Sequence, residues 1–185
     1  MANTVVSLKI TLHGSKPPIW RRLLMPGAMT LHDLHEAIQA VMGWDGGHMH
    51  AFDLNGTAYG DPDAESDFAD SSAMTLDRAV KSGATKFTYT YDFGDDWEHR
   101  IVVEKPQAVV PGQLYPACVA GKRACPPDDC GGMPGYEELL AILANPKHPQ
   151  HRDRLAWLGD GFNPEEFSVE DADTMVAGCF DRKPG

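Results

Sequence analysis

The sequence predicts an α+β domain: a mainly antiparallel sheet with helices packed on one side. Three observations carry this. Segments of strict apolar–polar alternation recur along the chain, they lead into hairpin turns rather than regular crossover helices, and one stretch repeats its apolar residues with helical spacing. At 185 residues the chain is expected to form one domain over 1–185, with its core over about 4–170. Its 42% hydrophobic content supplies that core.

Residues 5–13 alternate. Val6, Leu8, Ile10 and Leu12 fall on one side, and Ser7, Lys9, Thr11 and His13 on the other, the pattern of a half-buried strand. Gly14 to Pro18 interrupts it, and Ile19–Met25 reads as a second strand stopped by Pro26-Gly27. Over 31–42, Leu31, Leu34, His35, Ile38, Val41 and Met42 form a helical stripe. Thr30 is its N-cap, Asp33 sits at the positive end of the dipole, and Gly43 supplies the stop. His48–Leu54 alternates again and ends in the hairpin signal Asn55-Gly56. Residues 60–74 are acidic and read as a loop, and Thr75–Val80 as a short helix closing near Gly83.

The strongest β signal lies at 86–104. Phe87, Tyr89, Tyr91 and Phe93 share one face, continued after Gly94-Asp95-Asp96 by Trp97, His99, Ile101 and Val103. A three-residue turn is expected, with Phe93 opposite Trp97 and Tyr91 opposite His99. Residues 106–134 hold three of the four cysteines and six of the fourteen prolines, so an irregular segment is expected. A helix follows, with Pro134 in its first turn and Tyr136, Leu139, Leu140 and Leu143 on its face. Pro149–Leu158 reads as another helix, and Asn163-Pro164-Glu165-Glu166 as the start of a last one running to about Ala177.

The formal net charge is −11. Residues 53–77 carry seven carboxylates and no Lys or Arg, and residues 160–173 carry six with none, so phosphate backbones are repelled and nucleic acid is disfavoured as a partner. No stretch reaches the ~20 apolar residues needed to span a bilayer. The N-terminus lacks a basic region followed by an apolar run, which predicts a cytoplasmic protein without a disulfide framework.

Four strings stand out together. They are Lys16-Pro17-Pro18-Ile19-Trp20-Arg21-Arg22, the run Leu34 to Trp44, the run Tyr89 to His99, and Gly121 to Gly132 with Pro134-Gly135-Tyr136 just after. In this order and spacing the chain resembles the plasmid pRiA4b Orf-3-like family over about residues 4–170. The resemblance implies a compact α+β domain and an association with mobile elements. It implies no particular reaction, substrate or cofactor.

The ionisable and aromatic groups of these strings nominate a ligand site: Trp20, Arg21, Arg22, His35, Trp44, Tyr91, Asp92, Asp95, Asp96, Trp97 and His99. The acidic hairpin, Asp92 to His99, is rich enough in carboxylates to hold a hard cation or work as acid and base. Equally, Asp suits turn geometry for structural reasons alone. His48 and His50, two apart on one strand, form a candidate metal-ligand pair, with a solvated strand face as the plain alternative. Cys118, Cys125 and Cys130, with His99 or an aspartate as a fourth ligand, form a candidate zinc set in a spacing unlike paired zinc knuckles. The alternatives are a redox-sensitive pair or packed, inert thiols. No phosphate-binding glycine pattern is present. Trp20, Trp44 and Trp97 either wall a cleft or anchor the core.

Three functions follow as expectations. The first is a non-enzymatic module binding a peptide or protein partner in a cleft between the Asp92–His99 hairpin and the Cys118–Cys130 loop. The second is a metal-dependent hydrolase or nuclease-like enzyme with a divalent ion such as zinc. The third, weakened by the net charge, is a DNA-associated accessory protein.

Overall fold

The computed structural model describes residues 4–62, 67–105, 109–159 and 162–184. An eight-stranded sheet forms the centre, in the spatial order β5-β4-β3-β6-β7-β1-β2-β9. Its strands are β1 (Val5–Leu12), β2 (Trp20–Pro26), β3 (His50–Leu54), β4 (Thr57–Gly60), β5 (Ala69–Asp70), β6 (Lys86–Tyr91), β7 (Trp97–Val103) and β9 (Ala117–Lys122). All neighbours are antiparallel except β4 and β5. A second ribbon pairs β8 (Leu114–Tyr115) with β10 (Lys183–Pro184). The helices are α1 (Leu31–Met42), α2 (Leu76–Lys81), α3 (Gly132–Leu143), α4 (His151–Leu158) and α5 (Val169–Cys179).

The alternation of β1 translates directly into burial. Leu8, Ile10 and Leu12 face α1 with Leu23 and Met25 of β2, Ile101 of β7 and Phe52 of β3, and these side chains are almost wholly buried. The opposite face of β1 and β2 is polar. There Arg22 makes a two-pronged ion pair with Glu104 across the sheet (2.8 and 2.9 Å), and Ser7 donates to the same carboxylate. A small apolar group of Val5, Leu24 and Tyr115 covers one end of that face.

Helix α1 starts where the sequence places it. Thr30 Oγ1 accepts from Asp33 N, and the Asp33 carboxylate accepts from Thr30 N, a complete capping box. Gly43 closes the helix in the left-handed region at φ 79°.

Several expectations change. The hairpin turn is longer: Tyr91 lies opposite Trp97 and Tyr89 opposite His99, so Asp92 to Asp96 form a five-residue turn and Phe93 is exposed. The slip is two residues, so the side chains that remain in β6 and β7 keep their faces, while Phe93 moves into the turn. Its cause is local. Asp92 and Asp96 both adopt positive φ (52° and 55°), Asp96 N donates to Asp92 O, and Gly94 N donates to the Asp92 carboxylate. Second, the proline- and cysteine-rich stretch is not wholly irregular. It contains β8 and β9, the latter extending the sheet beside β2 through a register shift at Arg22/Leu23 that obscures any alternation. Third, α5 begins at Val169 with Ser168 as its cap, later than expected. Asn163 instead forms a turn, accepting from Glu165 N. In the acidic stretch expected as a loop, β5 and a short 3₁₀ turn are present, and residues 63–66 lie outside the described residues.

Among the described residues no helix is long and apolar enough to cross a membrane.

Candidate functional site

The β6–β7 turn, the loop before α3 and the segment between α1 and β3 meet at one end of the sheet. Alternation along β6 and β7 turns Tyr89, Tyr91, Trp97 and His99 inward, and all four are buried. Trp44, just past the end of α1, stacks on Tyr91 at 5.2 Å between ring centroids and lies 5.6 Å from Trp97 and 5.5 Å from His99. Its indole N–H donates to Pro126 O at 2.9 Å, tying α1 to the loop. The Tyr91 hydroxyl donates to Asp128 Oδ2 at 3.2 Å, and Gly131 N donates to Asp95 Oδ2 at 3.0 Å. The acidic hairpin and the thiol-bearing loop are therefore neighbours.

Over the outer edge of Tyr91 stands the imidazole of His48, 5.8 Å away and edge-on. Its Nε2 is 3.3 Å from Asp129 Oδ1 and 3.9 Å from Asp92 Oδ2. Ligand atoms of His48, Asp92, Asp128 and Asp129 all lie within 4.8 Å of one another. Burial holds the Asp128 carboxyl above its ordinary pKa, although the Asp129 backbone N–H and the Tyr91 hydroxyl both donate to it. Burial and then the Asp128 charge raise the Tyr91 phenol. Such a set of acceptors attracts a cation.

Other nominated residues lie elsewhere. Trp20 sits toward the polar face, with Lys9 and Arg22 over its ring at 5.0 and 5.3 Å. Arg21 is buried under the sheet, donating to Trp20 O, Val41 O and Lys122 O, with Phe167 stacked on its guanidinium at 3.9 Å. Asp96 shapes the turn through its backbone and is exposed. His35 belongs to a different group, stacked on His50 at 3.6 Å with the rings 7° from parallel. His48 and His50 thus part company: His48 joins the aspartates, whereas His50, at the start of β3, turns into the interior.

Among the described residues no cluster of three potential ligands includes Cys118, Cys125, Cys130 or His99, which corrects the zinc set drawn from the spacing. Strand β9 holds Cys118 in the sheet with its thiol toward Ala120 O, while Cys125 packs its sulfur on that of Met42 at 3.2 Å. Burial pushes the thiols up, to about 11 for Cys118 and about 12 for Cys125 and Cys130, even though Arg21 pulls the first two down. Protonated thiols of this kind are poor nucleophiles. The imidazole of His99, wholly buried with Nδ1 2.9 Å from Trp97 O, is pushed down to about 4 by burial.

Sequence reasoning overlooked His32, Asp61, Asp128 and Asp129 as potential ligands. The acidic pair inside Pro127-Asp128-Asp129-Cys130 was a visible signal. For His32 and Asp61 the sequence offers none, because they are 29 residues apart and meet only through the sheet edge.

The family model for plasmid pRiA4b ORF-3-like proteins matches residues 4–171. The chain is similar to the uncharacterized protein y4hQ of Sinorhizobium fredii (strain NBRC 101917 / NGR234), with 40% identity over 162 residues, 86% of this chain and 83% of that one. It is also similar to the crystal structure of MM3350 from Methanosarcina mazei Go1, a protein of unknown function, with a TM-score of 0.84 and 38% identity over 92% of this chain and 97% of that one.

Proposed function

We propose, for a chain that belongs to the plasmid pRiA4b ORF-3-like family, a binding module that takes a cationic segment of a peptide or protein partner where the β6–β7 turn meets the loop before α3. The supporting observation is the convergence of His48, Asp92, Asp128 and Asp129, with ligand atoms within 4.8 Å, on the aromatic wall of Tyr91 and Trp44. Three carboxylates held together repel one another, and an arriving ammonium or guanidinium relieves that repulsion while pairing with them. Exposed Met49 and Phe93 directly follow His48 and Asp92 in sequence and offer apolar surface to the rest of a peptide. The raised thiols argue against nucleophilic chemistry through the cysteines.

A second reading rests on the same four side chains. One imidazole and several carboxylates also suit a divalent cation, the starting point for metal-dependent hydrolysis. The net charge of −11 weighs against a DNA-bound role under either reading.

Titration of the protein with Arg- and Lys-containing peptides, followed by tryptophan fluorescence at two salt concentrations, tests the first reading. The expected result is saturable, salt-weakened binding that falls at least about tenfold in an Asp128→Asn/Asp129→Asn variant and is unchanged in Asp53→Asn. Absent binding, or binding indifferent to the double substitution, refutes it. Saturable Mn²⁺ binding lost in the same double variant, without peptide binding, selects the second reading.

A further inference from the structure

On the inner side of β3 a second group of potential ligands forms, sharing no residue with the aspartate cluster. Two turns of α1 place His32 and His35 beside the start of β3. His50 meets them there, its side chain only 2% exposed and stacked flat on His35. His35 is itself fixed: its Nδ1 is 2.8 Å from the Tyr89 hydroxyl, which also accepts from Gln39 Nε2 at 2.8 Å. The His50 ring is therefore backed by an anchored ring and cannot swing away from its position.

Immediately after β4, Asp61 brings a carboxylate over the pair. Its Oδ1 is 3.5 Å from His32 Nδ1 and its Oδ2 is 4.0 Å from His50 Nδ1. The three residues offer ligand atoms that all lie within 4.8 Å of one another. His32 Nδ1, which faces Asp61, is shielded from solvent and has no hydrogen-bond partner among the described residues, whereas at His50 the shielded nitrogen without a partner is Nε2, across the ring from the Nδ1 that faces Asp61. Orphaned imidazole nitrogens of this kind are uncommon in a folded protein and ask for an explanation.

We propose that His32, His50 and Asp61 form a binding site for a divalent transition-metal ion of the zinc class. Two imidazoles and one carboxylate suit such an ion better than calcium or magnesium, which prefer oxygen throughout. Bonds of about 2.0–2.2 Å in tetrahedral array place neighbouring ligand atoms about 3.3 Å to 3.5 Å apart. The His32–Asp61 separation already meets this, and the His50 Nδ1–Asp61 separation, at 4.0 Å, lies somewhat beyond it. Three protein ligands leave a position open for water or a substrate group.

Metal-stripped full-length protein titrated with Co²⁺ near neutral pH, followed by its visible ligand-field bands, tests the site, with Zn²⁺ added to displace the signal. One saturating equivalent with the intense bands of a low-coordinate nitrogen–oxygen site is expected. His32→Gln and Asp61→Asn, both at exposed or half-exposed positions, are expected to weaken it at least about tenfold, and Asp129→Asn to leave it intact. Absence of saturable binding overturns the proposal, as does binding that survives both substitutions. Loss in Asp129→Asn alone assigns the metal to the aspartate cluster and likewise overturns it. Should His50→Gln fail to fold, the two outer ligands, His32 and Asp61, still decide between these outcomes.

Discussion

Arg21 and Arg22 are adjacent basic residues with unrelated work. Strand alternation sends Arg22 to the polar face, where it meets Glu104 in a half-exposed pair. It sends Arg21 inward, 2% exposed, where one planar guanidinium serves three backbone carbonyls, including Val41 O in the last turn of α1. An ammonium cannot reproduce that fork. Arg21→Lys is therefore expected to lower stability by about 2–4 kcal/mol, read as a lower urea midpoint at unchanged slope. Arg22→Ala should cost no more than about 1 kcal/mol, since exposed pairs contribute little. Equal effects at the two positions would contradict this assignment. The sequence displayed both arginines, and their opposite directions follow from alternation, but the acceptors of Arg21 come from three separate segments.

At the scale of elements, the site depends on how closely the β6–β7 turn approaches the start of α3. Gly132 has φ 65°, and a Cβ built there would collide with the backbone carbonyl of Asp95. Gly83 also has positive φ, at 91°, yet nothing lies within 4 Å of its would-be Cβ. Alanine at Gly83 should cost about 1–2 kcal/mol for conformation alone. Alanine at Gly132 should cost clearly more, because turn and loop must separate, and it should weaken cation binding at the aspartate cluster as well. Thermal unfolding of the two variants side by side measures the difference, and equal losses would show that the contact is unimportant. The alternation of β6 and β7 was plain in the sequence. The turn was not, because Asp92 and Asp96 enter the left-handed region and lengthen it without changing which face each side chain takes.

For the molecule as a whole, acid stability reports on the buried polar core. His99 on β7 faces Trp44 and Tyr89, with the Arg21 charge near enough to disfavour a second cation. Its pKa is about 4 in the fold against about 6.5 in the unfolded chain. Between those values the unfolded chain binds the proton and the fold does not, so stability is full above about pH 6.5 and falls as pH drops toward 4. The loss from this residue is on the order of a few kcal/mol. Urea unfolding across this interval should show the decline, and His99→Phe should make it shallower, the remainder belonging to His35 and His50, which burial also holds below the ordinary imidazole value. A profile identical in wild type and variant would place the titration elsewhere.

Family, fold class and the principal elements were legible in the sequence, because alternation, helical spacing, caps and turn residues are local properties that the backbone reads within a few positions. Only the tertiary structure decided which ionisable groups share space. It set His48 with Asp92, Asp128 and Asp129, set His50 with His32 and Asp61, and buried Cys118 and Cys125 in the core. Those groupings arise from strand order and from the docking of α1 on the sheet, which join segments tens of residues apart and leave no periodic trace along the chain.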